Sequence, residues 1–203
     1  MKKILLACSM VLAMAFGAFA DDPKGELPLM VQCGFYTSNY QCFYCKGTDD
    51  LGLKFTPNEW NTYTVTVNKD GITYDGMGGK HKNMSIFRIK SNTKKSSTPL
   101  VIYIDNVVVK DAKGNVILKL DFEDGKDGGC YFSQGKPNPN NGKVVDKDGS
   151  KRFMIDMKSQ NLYGYNGVEV QWLLPPFSKK EPGWDMTSGK FTVTYDYYIA
   201  VAE

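Results

Sequence analysis

The chain has 203 residues, 42% of them hydrophobic and 23% charged, enough to build one medium-sized core and too apolar for a disordered protein. Its 25 Lys and Arg against 22 Asp and Glu leave a formal charge of only +3. That balance lacks the basic surplus on which nucleic acid binding depends, so no nucleic acid partner is expected.

Residues 1–20, MKKILLACSMVLAMAFGAFA, combine two lysines, a short apolar run and a closing Ala18-Phe19-Ala20 that suits a signal peptidase. They read as a cleaved signal peptide, not as a membrane span, and imply a secreted, periplasmic or cell-surface protein. Leu5-Leu6-Ala7-Cys8 has a superficial lipoprotein pattern, but it would leave too short an apolar core for a leader. Residues 21–203 are expected to form a single domain.

Beyond the leader stand Cys33, Cys42, Cys45 and Cys130. An even number of cysteines in an exported chain predicts disulfides, and four cysteines leave three pairings open. Cys42-x-x-Cys45 also has zinc-ligand spacing, but Cys33 and Cys130 do not supply the second close pair that a zinc ribbon uses.

Past the leader no helical period persists. Short runs rich in β-branched and aromatic residues follow one another instead: LPLMVQCGFYTS, NTYTVTVNK, MSIFRIKS, PLVIYIDNVVV, NVILKLDF, RFMIDMKS, GVEVQWLLPPF and KFTVTYDYYIAVA. Turn signals such as NKDG, DAKGN and DKDGS separate them, and the pattern predicts an all-β sandwich. Two longer segments, GKPNPNNGK and PPFSKKEPGWD, read as loops, where binding groups tend to lie. Asp105 is the anomaly, because it interrupts a run of apolar residues meant for burial. An ionised carboxylate there needs a proton, a cation or a metal.

The runs LVIYIDNVVV and LDFEDG resemble the closing and opening strands of the jelly-roll carbohydrate-binding modules of families four, nine and twenty-two. Here they occur in reverse order, joined by KDAKGN. Residues 54–109 look like the second half of such a module and residues 118–201 like the first. The resemblance implies a jelly-roll β-sandwich of two antiparallel sheets, circularly permuted, with the first and last strands pairing antiparallel. It also implies a structural calcium held by Asp105 and Glu123, with Asp121 as a further ligand. Without that ion, Asp105 would cap a strand end and Glu123 would be solvated.

Saccharide binding needs flat aromatic faces and planar polar groups. The two-residue period of a strand sorts the candidates. Its polar phase carries Tyr36, with Gln32 beside it; Arg88; Glu169 and Gln171; and Tyr198, with Thr194 and Asp196. Trp172 shares phase with Val168 and Val170, which favours the core unless the strand bends into a cleft. Trp184, Tyr163 and Tyr165 are loop aromatics suited to ligand contact, whereas Trp60 reads as packing.

No nucleophile with a base and no pair of carboxylates at hydrolase spacing stands out. The one histidine, His81, lies in GKHKN and reads as solvated. The chain is therefore expected to be a non-catalytic binder of a polysaccharide or oligosaccharide, serving a larger polysaccharide-degrading or surface assembly. The alternative is a surface structural or adhesion sandwich that binds another protein.

Overall fold

The computed structural model describes residues 29–54, 56–93, 100–132, 142–156, 161–162, 165–175, 183–187 and 189–201. The leader, Tyr163, and most of the two long loops lie outside the described residues. Among the described residues there are thirteen strands: β1 (Leu29–Thr37), β2 (Cys42–Cys45), β3 (Trp60–Val67), β4 (Ile72–Asp75), β5 (Met84–Thr93), β6 (Leu100–Lys110), β7 (Val116–Leu120), β8 (Tyr131–Phe132), β9 (Gly142–Lys147), β10 (Ser150–Asp156), β11 (Asn161–Leu162), β12 (Tyr165–Leu173) and β13 (Phe191–Val201). No helix among them is long and apolar enough to cross a membrane.

The strands form two antiparallel sheets. A seven-stranded sheet runs β11-β12-β5-β1-β2-β4, with β8 also paired to β12, and a six-stranded sheet runs β3-β13-β6-β10-β9, with β7 also paired to β6. Alternation makes this a sandwich. In β13, Phe191, Val193, Tyr195, Tyr197 and Ile199 point inward while Thr192, Thr194, Asp196 and Tyr198 point out, because successive side chains leave a strand on opposite faces. The inner faces of both sheets join in one apolar core. Phe153 of β10 meets Trp172 of β12 across it, ring centroids 5.7 Å apart. Packing between the sheets is close, leaving a void of only about 10 Å³ among Val31, Ile89, Ile102, Ile155 and Tyr197.

The fold expectation of an all-β sandwich of two antiparallel sheets holds. The expected pairing of the first and last strands does not. Strand β1 lies between β2 and β5 in one sheet, and β13 lies between β3 and β6 in the other. The two strands therefore belong to different sheets, each flanked by neighbours of its own.

Strand β6 explains its own acid. One edge pairs with β13 along its length, but the other is shared: β10 covers Val101–Ile104 and β7 covers Val107–Lys110. Asp105 and Asn106 fall in the gap between those partners. Asn106 there adopts φ of 49°, and the register with β13 slips between Thr194 and Asp196. A bulge of this kind re-aims side chains, and it turns Asp105 towards cations instead of the apolar core.

Candidate functional site

The outer face of the seven-stranded sheet carries one continuous polar and aromatic row. Cross-strand register aligns Gln171 of β12, Arg88 of β5, Gly34 of β1, Tyr44 of β2 and Tyr74 of β4. Gly34 sets its shape, since a Cβ there would stand 2.7 Å from Cδ1 of Tyr44. The missing side chain lets the Tyr44 ring lie over β1.

From one end of the row to the other, exposure changes steeply. Tyr74 is 54% exposed, and its ring lies 5.8 Å from that of Tyr44. Arg88 and Gln171 at the far end are buried, as is Tyr36, two residues along β1 from Gly34. Arg88 donates from Nε and Nη2 to Oε1 of Gln171 at 3.0 and 2.6 Å, and from Nη1 to the Tyr36 hydroxyl at 2.9 Å. Its guanidinium lies 3.9 Å from the Tyr36 ring centroid, and the Tyr36 hydroxyl in turn bonds that of Tyr44. Lys90 lies over the Tyr44 ring at 4.9 Å. On this face two buried groups, Nε2 of Gln171 and Oε1 of Gln32, have no hydrogen-bond partner among the described residues. A donor and an acceptor left in this way are costly unless something else meets them.

Tyr36, Arg88 and Gln171 are thus brought together on one face. The backbone of Glu169 and Tyr165 belongs to the same β12, with Glu169 in register with Lys90; their side chains lie outside the described residues. Trp172 is not on this face. It is fully buried among Phe87, Phe122 and Phe153 and donates from Nε1 to the Asp127 carbonyl at 2.8 Å, because its phase in β12 is the inward one. Trp184 is half-buried and pinned: its backbone bridges to Met84, its Nε1 donates to the Pro175 carbonyl at 2.9 Å, and its ring meets Phe191. Tyr198 lies on the other sheet altogether, on its outer face.

One further reading is corrected. His81 is not solvated: it is 8% exposed, 3.1 Å from Oδ2 of Asp75, and its ring lies 4.4 Å from that of Phe43. Burial raises the Asp75 pKa, but amide hydrogen bonds from Met77 and Gly79 and the nearby His81 outweigh it and hold the carboxyl below its usual range. Trp60 packs, but on the outer surface and not in the core: it is 37% exposed, with its ring 5.6 Å from that of Tyr198. Sequence reasoning read Tyr44, with the other tyrosines of CGFYTSNYQCFYC, as cover for a disulfide, and did not single out Tyr74, Tyr103, Lys147 or Arg152. Alternation could have flagged three of them: Tyr44 shares the outward phase of Cys42 while Phe43 and Cys45 turn into the core, Tyr103 alternates with buried Ile102 and Ile104, and Arg152 with buried Phe153 and Ile155.

The acids expected to hold calcium converge in part, and the cation between them is Arg152. Its Nη1 lies 2.7 Å from Oδ2 of Asp105 and 3.1 Å from Oε1 of Glu123. Asp121 turns instead to Lys119 at 3.0 Å. Burial pushes the Asp105 carboxyl above its usual range; the Asn106 amide and Arg152 pull it back, and Asp196 and Glu123 add to the rise. Among the described residues no three His, Cys, Asp or Glu side chains gather as a metal site. Asp105 Oδ1 nevertheless has no hydrogen-bond partner among the described residues.

No disulfide joins any of Cys33, Cys42, Cys45 and Cys130, which corrects the expected cross-links. Within a strand, residues three apart leave on opposite faces, so Cys45 points into the core while Cys42 points out. That arrangement also prevents the pair from sharing a zinc ion. One step along the β1–β2 register, Cys33 faces Cys45; a hydrogen bond from Cys33, together with burial, pushes the Cys45 thiol well up. Burial, and then Asp127, push the Cys130 thiol up to about 12.

Comparison of the chain with protein-family models, with curated proteins and with solved structures found no match. The likeness to carbohydrate-binding modules therefore rests on the motif residues named above.

Proposed function

We propose that the protein is a secreted, non-catalytic carbohydrate-binding protein that takes a polysaccharide chain along the outer face of the seven-stranded sheet. The observation that carries this reading is the row from Tyr74 to Gln171, which grades from exposed rings to a buried arginine flanked by an unpartnered carboxamide donor and acceptor. Rings cover the apolar faces of pyranoses, and planar polar groups at the deep end bond hydroxyls.

Tyr74→Ala separates binding from folding. Tyr74 is largely exposed, so its loss should leave melting within a few degrees while weakening retention by a bound polysaccharide roughly tenfold, the effect of one lost hot-spot ring. Gly34→Val pushes the Tyr44 ring off β1 and should act in the same direction. Affinity electrophoresis through laminarin, xylan, hydroxyethylcellulose and galactomannan measures both. Wild-type protein that none of these retards, nor any glycan of a broad array, would favour the adhesion reading.

The unpartnered Asp105 Oδ1 supports a second reading of the acid cluster, in which a structural calcium takes the place of Arg152 between Asp105 and Glu123. Calcium wants six to eight oxygens, so Arg152 would have to leave. If that ion binds, millimolar calcium raises the wild-type melting temperature over that in a chelator; with Arg152 as the resident cation, the two curves coincide.

A further inference from the structure

The six-stranded sheet bears a second aromatic surface on the opposite side of the molecule. Register sets Trp60 of β3, Tyr198 of β13 and Tyr103 of β6 side by side in one row on the outer face. Ring centroids lie 5.6 Å apart for Trp60 and Tyr198 and 5.8 Å for Tyr198 and Tyr103. Lys147 Nζ stands 4.3 Å from the Tyr198 ring centroid, and the Arg152 guanidinium 5.2 Å from that of Trp60. The adjacent row is polar: Asp196 accepts from Thr62 at 2.7 Å and from Asn106 at 2.9 Å.

We infer that this row is a second saccharide-binding platform, on the face opposite the first, for a neutral polysaccharide. Three adjacent strands about 4.8 Å apart spread the rings over about 10 Å, room for about two pyranose rings laid flat. A cross-strand aromatic ladder that served the sheet alone would not need Trp60 at 37% exposure.

The charges decide the class of ligand. Lys147 is paired with Asp148 at 3.1 Å, and Arg152 with Asp105 and Glu123, while Asp196 adds a further carboxylate. An anionic polymer would meet at least as many acids as cations. A neutral polyol uses both, its hydroxyls donating to carboxylates and accepting from the lysine. Because the two platforms face away from each other, one molecule can hold two chains or two stretches of one chain, and retention rises through effective concentration without a new contact.

This platform goes beyond the proposed function and is independent of the row on the other sheet. The test uses the full chain and the soluble neutral polysaccharides named above, with polygalacturonate as the anionic probe. Calorimetry with an oligosaccharide of whichever polymer retards the wild type should give two sites per chain. Trp60→Ala and, separately, Tyr198→Ala should each reduce this to one site and weaken retardation at least tenfold, with melting preserved. Tyr74→Ala should remove the other site, and the double variant both. Unchanged stoichiometry in Trp60→Ala and Tyr198→Ala overturns the platform but leaves the first face standing. Loss in those two variants with none in Tyr74→Ala sustains the platform and removes the first face. Retardation by polygalacturonate alone overturns the neutral class, and no retardation of the wild type by any polymer overturns both sites.

Discussion

Replacing Arg152 with glutamine is expected to lower the free energy of unfolding by about 3 kcal/mol at pH 7, the size of effect that follows when one partner of a buried ion pair is removed. The loss falls on Asp105, which is 3% exposed and faces Asp196 across the β6–β13 ladder. Without the guanidinium, its charge would be left among Asp196, Glu123 and the sheet. Glu123 matters less, since its side chain is 54% exposed and solvent screens it.

The dependence on pH follows from the direction of the Asp105 shift. Its folded pKa already lies above the ordinary carboxylate value, and removing Arg152 raises it further. A folded state that binds the proton more tightly than the unfolded chain gains stability as pH falls through the folded pKa, and loses it as pH rises. Urea denaturation of Arg152→Gln should therefore recover part of the lost stability between pH 7 and pH 5, and Asp105→Asn in the same chain should recover most of it at pH 7. Equal stability of Arg152→Gln and wild type at pH 7 would mean that Asp105 takes its cation from elsewhere.

Trp172→Ala is expected to cost about 3–5 kcal/mol, the range for removing a large aromatic from a packed core. The ring spans the gap between the sheets, touching Phe153 on one side and Phe87 on the other, and ties down residue 127 through its indole nitrogen. Trp172→Phe keeps most of the contact and gives up that hydrogen bond, so a loss of about 1–2 kcal/mol is expected. Denaturant midpoints measure both. A fully folded Trp172→Ala that had lost only ligand affinity would return the residue to the binding face.

Period-two alternation made the sandwich legible, because a strand half-buried in a core has to write its burial into every second residue. The same rule put Tyr36, Arg88 and Gln171 in the polar phase before any coordinates. It could not say that Tyr198 lies on a different sheet, since phase reports in or out but not which layer a strand joins. Nor could it find the partner of Asp105. Arg152 sits 47 residues further along in a run, RFMIDMKS, that gives no hint of which strand it will flank, and only the shared edge of β6 brings the two together. The cysteines misled for a related reason: an even number in an exported chain suggests pairing, but the count does not say where the strands aim them, and Cys42 leaves β2 on the face opposite to Cys45.

Strand β13 follows the other described strands along the chain and yet lies inside its sheet, between β3 and β6. Until residues 191–201 arrive, both neighbours must wait with bare edges, and such edges invite pairing between chains. Completion of the six-stranded layer is thus tied to a contact spanning 138 positions from Trp60 to Tyr198, which favours slow closure and a chain at risk of sticking to its own copies while it is still growing.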